Sequence, residues 1–390
     1  GLGDVYKRQV NFRIETLADG KVVRTEQYAS LEELTEKGLQ ALSFDDLVYL
    51  SEEELAKIEA PITPAWEQPK RSRVQSFDIH PEIPMAERHT FDLASHEVEE
   101  VNKRERFHRN YAAISVLKKC QEENRFATPE EQIILSKYVG WGGIPEAFDP
   151  GVGSWQTEYQ MLQNILTPEE YDSARASTLT AFYTPPEITG TIADVLHKHG
   201  IRPDRVLEPS AGVGAFVDAV LENKPDADIM AFEKDLMTGK ILRHLHSDQK
   251  VRIQGYEKIE KPFMNHFDLA ISNIPFGDVA VFDPEFTNSH DVARRSASKT
   301  IHNYFFLKSL DAVREGGIVA FITSQGVLDA PTNAPIREYM MNHANLVGVA
   351  RLPNNLFTEN AGTEVGSDLI ILQKNSGKNG ELYYLSLIHI

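Results

Sequence analysis

The run Arg205-Val206-Leu207-Glu208-Pro209-Ser210-Ala211-Gly212-Val213-Gly214-Ala215-Phe216 constrains the fold of this 390-residue chain more than any other stretch. A short apolar strand breaks into a glycine-containing turn and passes straight into a helix start. Glycine tolerates positive φ and has no side chain in the way, so a ligand can approach the backbone of such a turn. A second apolar run, Ile229-Met230-Ala231-Phe232, ends in Glu233. A carboxylate at that place can accept both hydroxyls of a ribose.

The turn has Glu-Pro before it and lacks the third glycine of a G-x-G-x-x-G pattern. It therefore departs from the nicotinamide-binding form and fits S-adenosylmethionine better. Further on, Asp268-Leu269-Ala270-Ile271-Ser272-Asn273-Ile274-Pro275-Phe276-Gly277 begins as an apolar strand and breaks into Asn-Ile-Pro-Phe. The exocyclic amine of a purine is a poor nucleophile because its lone pair is delocalised into the ring. Hydrogen bonds to the Asn273 side-chain oxygen and the Ile274 carbonyl would draw that amine toward tetrahedral geometry. Pro275 would fix the turn, and Phe276 would offer a ring to a base taken out of its stack. Base–aromatic stacking of this kind contributes about 1–3 kcal/mol.

Beyond the loop, Thr287–Lys299 is polar and clusters Arg294, Arg295 and Lys299, the best candidates for phosphate contact. A helix, a Gly316-Gly317 turn and a buried strand follow, and strands are expected around Leu346–Pro353 and Ser367–Leu372. Strands alternating with helices predict a doubly wound α/β sheet over residues 181–375.

The N-terminal half carries less chemistry. Alternating runs around Asp19-Gly20 predict a hairpin, and Ser30 and Ser51 are plausible N-caps, so residues 10–60 read as a small accessory α+β module. Residues 61–90 are rich in proline and charge and read as a linker, with Lys70-Arg71-Ser72-Arg73 as a solvated charge run. Residues 91–180 read as helical, with helix starts at Thr128-Pro129 and Thr167-Pro168. Within them Tyr138-Val139-Gly140-Trp141-Gly142-Gly143 is either a helix terminator with a buried Trp or a stacking platform beside the cofactor pocket. The ends, 1–9 and 385–390, resemble translated adapter sequence and are set aside, which makes the chain a fragment of a longer protein.

Composition bounds the partners. A formal net charge of −18 argues against a nonspecific nucleic-acid coat but allows a local basic groove. The single cysteine, Cys120, excludes an intrachain disulfide and a cysteine-rich metal site, and no metal ligand set is expected. It fits a reducing, cytoplasmic setting and reads as packing. No apolar run is long enough to span a membrane, and no G-x-x-x-x-G-K-[ST] occurs.

In order, Phe182-Tyr183-Thr184-Pro185-Pro186-Glu187-Ile188, the Glu208–Phe216 turn, Glu233 and Asn273-Ile274-Pro275-Phe276 resemble the motifs of adenine-specific DNA methyltransferases. The order matches the class whose target-recognition region lies C-terminal to the catalytic domain. The resemblance implies a Rossmann-like, S-adenosylmethionine-dependent sheet. It implies that Phe182, Thr184 and Pro185 touch the methionine part of the donor, that Glu208, Pro209, Gly212 and Gly214 line its turn, and that Glu233 holds its ribose. Arg252–Glu257 stands where the family often has Gly-Asp-Phe, so Glu257 or Tyr256 would border the donor adenine. Ile274 replaces the commoner proline, at an expected cost in loop rigidity. The stretch NRFATPEEQIILSKYVGWGGIPEAFD resembles the N-terminal part of very large methylase–helicase proteins of conjugative elements and phages, over roughly residues 90–375. A helicase region would then follow in the full polypeptide. The acceptor implied is DNA, with RNA, a protein amide, or a scaffold without turnover as the alternatives.

Overall fold

The computed structural model describes residues 12–18, 21–28, 62–69, 81–92, 101–178, 184–352 and 366–378. The chain divides into two compact units, Gly1–Ile62 with Tyr383–Ile390, and Thr63–Leu382. In the first, β1 (Phe12–Ala18) and β2 (Lys21–Tyr28) pair antiparallel from Phe12↔Tyr28 to Ala18↔Lys21, with a register shift at Thr16/Leu17. The expected hairpin is present. Asp19-Gly20, Ser30 and Ser51 lie outside the described residues.

The second unit is built on a seven-stranded sheet of order β5-β4-β3-β6-β7-β9-β8. Its strands are β3 (Arg205–Glu208), β4 (Asp228–Glu233), β5 (Lys250–Ile253), β6 (Phe267–Asn273), β7 (Val313–Ser324), β8 (Ala344–Leu352) and β9 (Ser367–Lys374). The first five pair parallel, and β9 runs antiparallel to both β7 and β8. In β6, Phe267–Ser272 are all buried, the near-continuous apolar run that a strand covered on both faces requires. Strand β5 is an edge strand of only four residues with a single buried side chain, which is why Lys250–Ile253 gave no strand signal.

Strand order reverses between β3 and β6. From β3 the chain winds outward to β4 and β5, then returns to β6 and winds the other way. Loops leaving the carboxyl ends of these two strands diverge and open a crevice, the usual ligand place of an open α/β sheet. The β3–β6 ladder stops at Leu207↔Ala270, three residues short of Asn273, so the strands part there.

At the opposite edge a buried ion pair closes the sheet. The Asp268 carboxylate, 1% exposed, accepts the N–H groups of Asp204 (2.9 Å) and Arg205 (3.0 Å) and the Arg314 Nε–H (2.9 Å). Arg314 also donates to the carbonyl of Ala65. Gln68 Nε2 reaches the Glu315 carbonyl at 2.8 Å, and Thr90 bridges His246. The described parts of the expected linker are thus fastened, Ala65 and Gln68 to the start of β7, and His89 and Phe91 through their N–H groups to Ser247 and Leu245. Lys70–Arg73 lie outside the described residues.

Helices α1 (Lys103–Glu122), α2 (Pro129–Leu135), α3 (Gln156–Ile165) and α4 (Pro168–Ser177) precede the sheet. Both expected starts are complete capping boxes, Thr128 with Glu131 and Thr167 with Glu170. Their core is continuous with Met237, Ile241 and Leu245 of α7 (Leu236–Leu245), the helix between β4 and β5. Trp141 is fully buried against Phe148 (5.1 Å), Phe107 (6.1 Å) and Tyr138 (6.3 Å). It is a core residue and not a stacking platform. Cys120 is buried too, and burial with the neighbouring Glu131 pushes its thiol up to about 11. Among the described residues no helix is long and apolar enough to cross a membrane.

Asp268→Ala leaves the Arg314 guanidinium and two N–H groups buried without their acceptor. Chemical denaturation is expected to show a loss of about 3–5 kcal/mol, whereas Lys103→Ala, at an ion pair with Glu146 open to solvent on both sides, costs about 1 kcal/mol or less.

Candidate active site

Six strands, β3 to β8, end at the same edge of the sheet. α5 (Pro186–Lys198) and α10 (Ile301–Ala312) each precede a parallel strand, so both start at that edge. Thr184, 8% exposed, and Pro185, the N-cap of α5, therefore come to the crevice. Phe182 lies outside the described residues.

The donor-side turn is held by its own backbone. The Ala211 N–H donates to the Phe232 carbonyl (2.9 Å), and the Gly212 N–H to Glu233 Oε2 (2.9 Å). Gly212 has φ +57° and Gly214 φ +100°, and a Cβ on Gly214 would collide with the His246 ring. Only glycine meets both demands, since Gly214 is also the N-cap of α6 (Ala215–Asn223). Pro209 is buried between strand and turn.

Carboxylates gather behind this turn. Glu208 is 2% exposed, and its Oε2 has no hydrogen-bond partner. Burial first, then Asp218 and Glu233, raise its pKa well above the carboxylate range, against one Val217 N–H that lowers it. Glu233 is half-buried and pushed up to about 7, by burial and then by Asp235. The backbone N–H groups of Asp235, Gly212 and Lys234 hold it below what burial alone would give. His246, behind Gly214 and 3.6 Å from Asp218, is brought down to about 4 by burial and is neutral at pH 7. The cluster carries excess negative charge that a cationic ligand with ribose hydroxyls would offset. S-adenosylmethionine, with its sulfonium and ammonium groups, fits these residues.

On the acceptor side, Asn273 ends β6 opposite Ile322 of β7, half-buried. The Ile274 N–H donates to the Ile322 carbonyl (3.1 Å), and the Ile274 side chain is 1% exposed. This corrects the expected loss of rigidity. A proline there has no N–H to give, whereas isoleucine extends the ladder one residue and anchors the loop in the core. Pro275 is half-buried, and Phe276 packs partly against the core on the α5–α6 face. The two halves are joined directly, since Ser272 Oγ donates to the Ser210 carbonyl at 3.0 Å.

Two other expected residues are placed differently. Tyr256 is 2% exposed with its hydroxyl 3.2 Å from Ser309 Oγ, so it belongs to the core and leaves Glu257, whose carboxylate folds back over Gly255, as the group near the crevice. Arg294, on α9 (Val292–Ala297), lies over the Phe286 ring at 4.1 Å and pairs with Asp311 at 2.9 Å. Asp311 stands at the foot of α10, ten residues (about 15 Å of helix) from the crevice edge, so Arg294 points away from it. Arg295 donates to the Ser289 carbonyl, while Lys299 is exposed just before α10.

The chain matches the N-6 DNA Methylase family over residues 166–387. It belongs to that family. "Defense against restriction protein B" of Escherichia phage P1 is 26% identical over 265 residues, 67% of this chain and 10% of that protein. The type II methyltransferase M.XamI of Xanthomonas campestris pv. amaranthicola is 26% identical over 200 residues, 45% of this chain and 35% of that one. The chain thus spans about a tenth and about a third of these two relatives. Solved structures similar to it include a modification subunit of a putative type I restriction enzyme from Vibrio vulnificus, at 16% identity and TM-score 0.42 over 63% of this chain and 53% of that one. A putative class I S-adenosylmethionine-dependent methyltransferase from Listeria monocytogenes is similar at 17% identity and TM-score 0.43, covering 72% and 91%.

Asp218, Asp235, His246 and Ser272 were not singled out from sequence. Asp235 is identifiable there only as a helix N-cap, and the other three gain their roles by tertiary contact.

Two outcomes follow. Glu233 accepts ribose hydroxyls best as the carboxylate, and in the free protein it is largely protonated below about pH 7. Donor affinity by calorimetry should therefore weaken as pH falls from 8 to 5.5, approaching about tenfold per unit, and level off above pH 8. Below pH 7 the heat should depend on buffer, as one proton leaves. Separately, Ile274→Pro should lower turnover by about tenfold or more, since a net hydrogen bond is about 1 kcal/mol and core packing is lost besides. Donor affinity should stay within about twofold.

Proposed function

We propose that this chain methylates the exocyclic amine of adenine in DNA, with S-adenosylmethionine as the donor. One observation carries the reading: the glycine turn with Glu233 and the Asn273 loop flank the same parting of β3 and β6 and are tied by the Ser272–Ser210 hydrogen bond. Family membership supports it, as does the likeness to a type II methyltransferase.

The residues divide the work as follows. Glu233, Gly212 and Gly214, with Thr184, Pro185, Glu208, Pro209 and Glu257 around them, hold the donor. When bound, S-adenosylmethionine supplies a methyl group made electrophilic by its sulfonium. Asn273 Oδ1 and the Ile274 carbonyl accept the two N–H bonds of the adenine amine, which turns the nitrogen lone pair out of the ring. Phe276 stacks on the base. The donor would supply the methyl group and keep the C–S electron pair, and Asn273 Oδ1 would pass the surplus proton of the amine to solvent. No general base is required before transfer. Arg295 and Lys299 are the cations placed for phosphate. The chain acts as the methylase part of a longer polypeptide, in keeping with the small share of the phage protein that it covers, with a helicase region beyond it and a cytoplasmic place of action.

Asn273→Ala should lower methylation of unmethylated DNA by at least about a thousandfold, because both orientation and lone-pair activation are lost. Donor affinity should stay within about twofold. Turnover equal to that of the parent chain would remove Asn273 from the amine site.

A further inference from the structure

The segment that follows the acceptor loop holds one aromatic side chain out of the protein. Phe282 is 79% exposed, the most exposed of the large apolar residues described. Lone exposed apolar residues are common, but the setting of this one is not. Val281 on one side is 9% exposed, and its N–H donates to the Ser298 carbonyl at 2.8 Å. Asp283 on the other is 4% exposed, and its carboxylate accepts from Tyr304 Oη (2.7 Å) and Lys308 Nζ (2.9 Å). Asp283 also caps α8 (Pro284–Thr287) through the Glu285 N–H at 2.9 Å. The backbone is clamped on both sides of a ring that touches little of its own chain. Val279, three residues earlier, is 48% exposed and widens the apolar surface.

The clamp lies at the crevice edge. Ser298 is two residues before Thr300, the N-cap of α10. Asp278 bears electrostatically on His302 in the first turn of α10. The span from Gly277 to Val281 therefore crosses the start of α10, at the edge where Asn273 ends β6. Eight residues separate Asn273 from Phe282.

We propose that Phe282 is a wedge that enters the base stack of duplex DNA beside the target adenine and fills the space the adenine leaves when it turns out toward Asn273. The proposal rests on the reading of DNA as the acceptor. An apolar ring between base steps offsets part of the cost of unstacking, and a ring held by fixed neighbours loses little freedom on insertion.

The test compares the parent chain with Phe282→Ala, Phe282→Leu and Phe282→Trp on native, unmethylated genomic DNA. Phe282→Ala is expected to methylate about tenfold or more slowly, with donor affinity by calorimetry unchanged. Phe282→Leu should recover most of the rate. The emission added by Phe282→Trp, read against the parent chain, should be quenched by DNA. A Phe282→Ala rate equal to the parent's, no recovery with leucine, or unchanged emission of the tryptophan variant on DNA that it methylates would each overturn the wedge. Absence of methylation by the parent chain itself would instead overturn the DNA reading, and the wedge with it.

Discussion

The parting of β3 from β6 is the constraint on which the rest of the structure depends. Two parallel strands stay paired only through Leu207↔Ala270, and beyond that point one leads into a turn and the other into the acceptor loop. The crevice follows from connectivity, since the chain winds away from this pair in both directions. What topology alone does not set is the distance between the halves. The Ser272 hydroxyl sets it by bonding the Ser210 carbonyl across the gap. The Asp268–Arg314 pair fixes the opposite ends of β3, β6 and β7. The crevice thus opens between strands held at their feet.

Electrostatics at the crevice are strained in one direction. Glu208 and Glu233 are raised mainly by burial and then by neighbouring carboxylates, while the nearby His246 is neutral. Such a site is costly for the free protein and favourable for a cation. For Glu233, a folded pKa of about 7 against an ordinary 4.5 means that stability from this group is complete below pH 4.5 and is lost as pH rises through 7. The donor pocket is least stable where it is best able to bind, a common feature of functional sites.

Much of this was legible in the sequence because the signals were local. The Thr128 and Thr167 caps, the glycine turn and the apolar β6 run each follow from neighbours within a few residues. β5 was missed because an edge strand with one buried residue carries no periodic signal. Residues 62–69 and 81–92 looked like linker because proline and charge say nothing about distant partners such as the Arg314 guanidinium or the Leu245 carbonyl. Arg294 looked available because its partners, Asp311 and Tyr339, are 17 and 45 residues away. Ile274 looked like a weakened motif. Its compensating bond runs to a different strand, so only the pairing of β6 with β7 reveals it.

The central claim is that the crevice transfers a methyl group to an adenine amine in DNA. It is tested most directly by incubating the chain with isotopically labelled S-adenosylmethionine and, in parallel, unmethylated DNA, RNA and protein, followed by nucleoside and amino-acid analysis. Label in N6-methyl-2′-deoxyadenosine from the DNA digest, and in neither of the other two, is the result expected. Label confined to RNA nucleosides or to methylated amide side chains would contradict the claim while leaving the donor site intact.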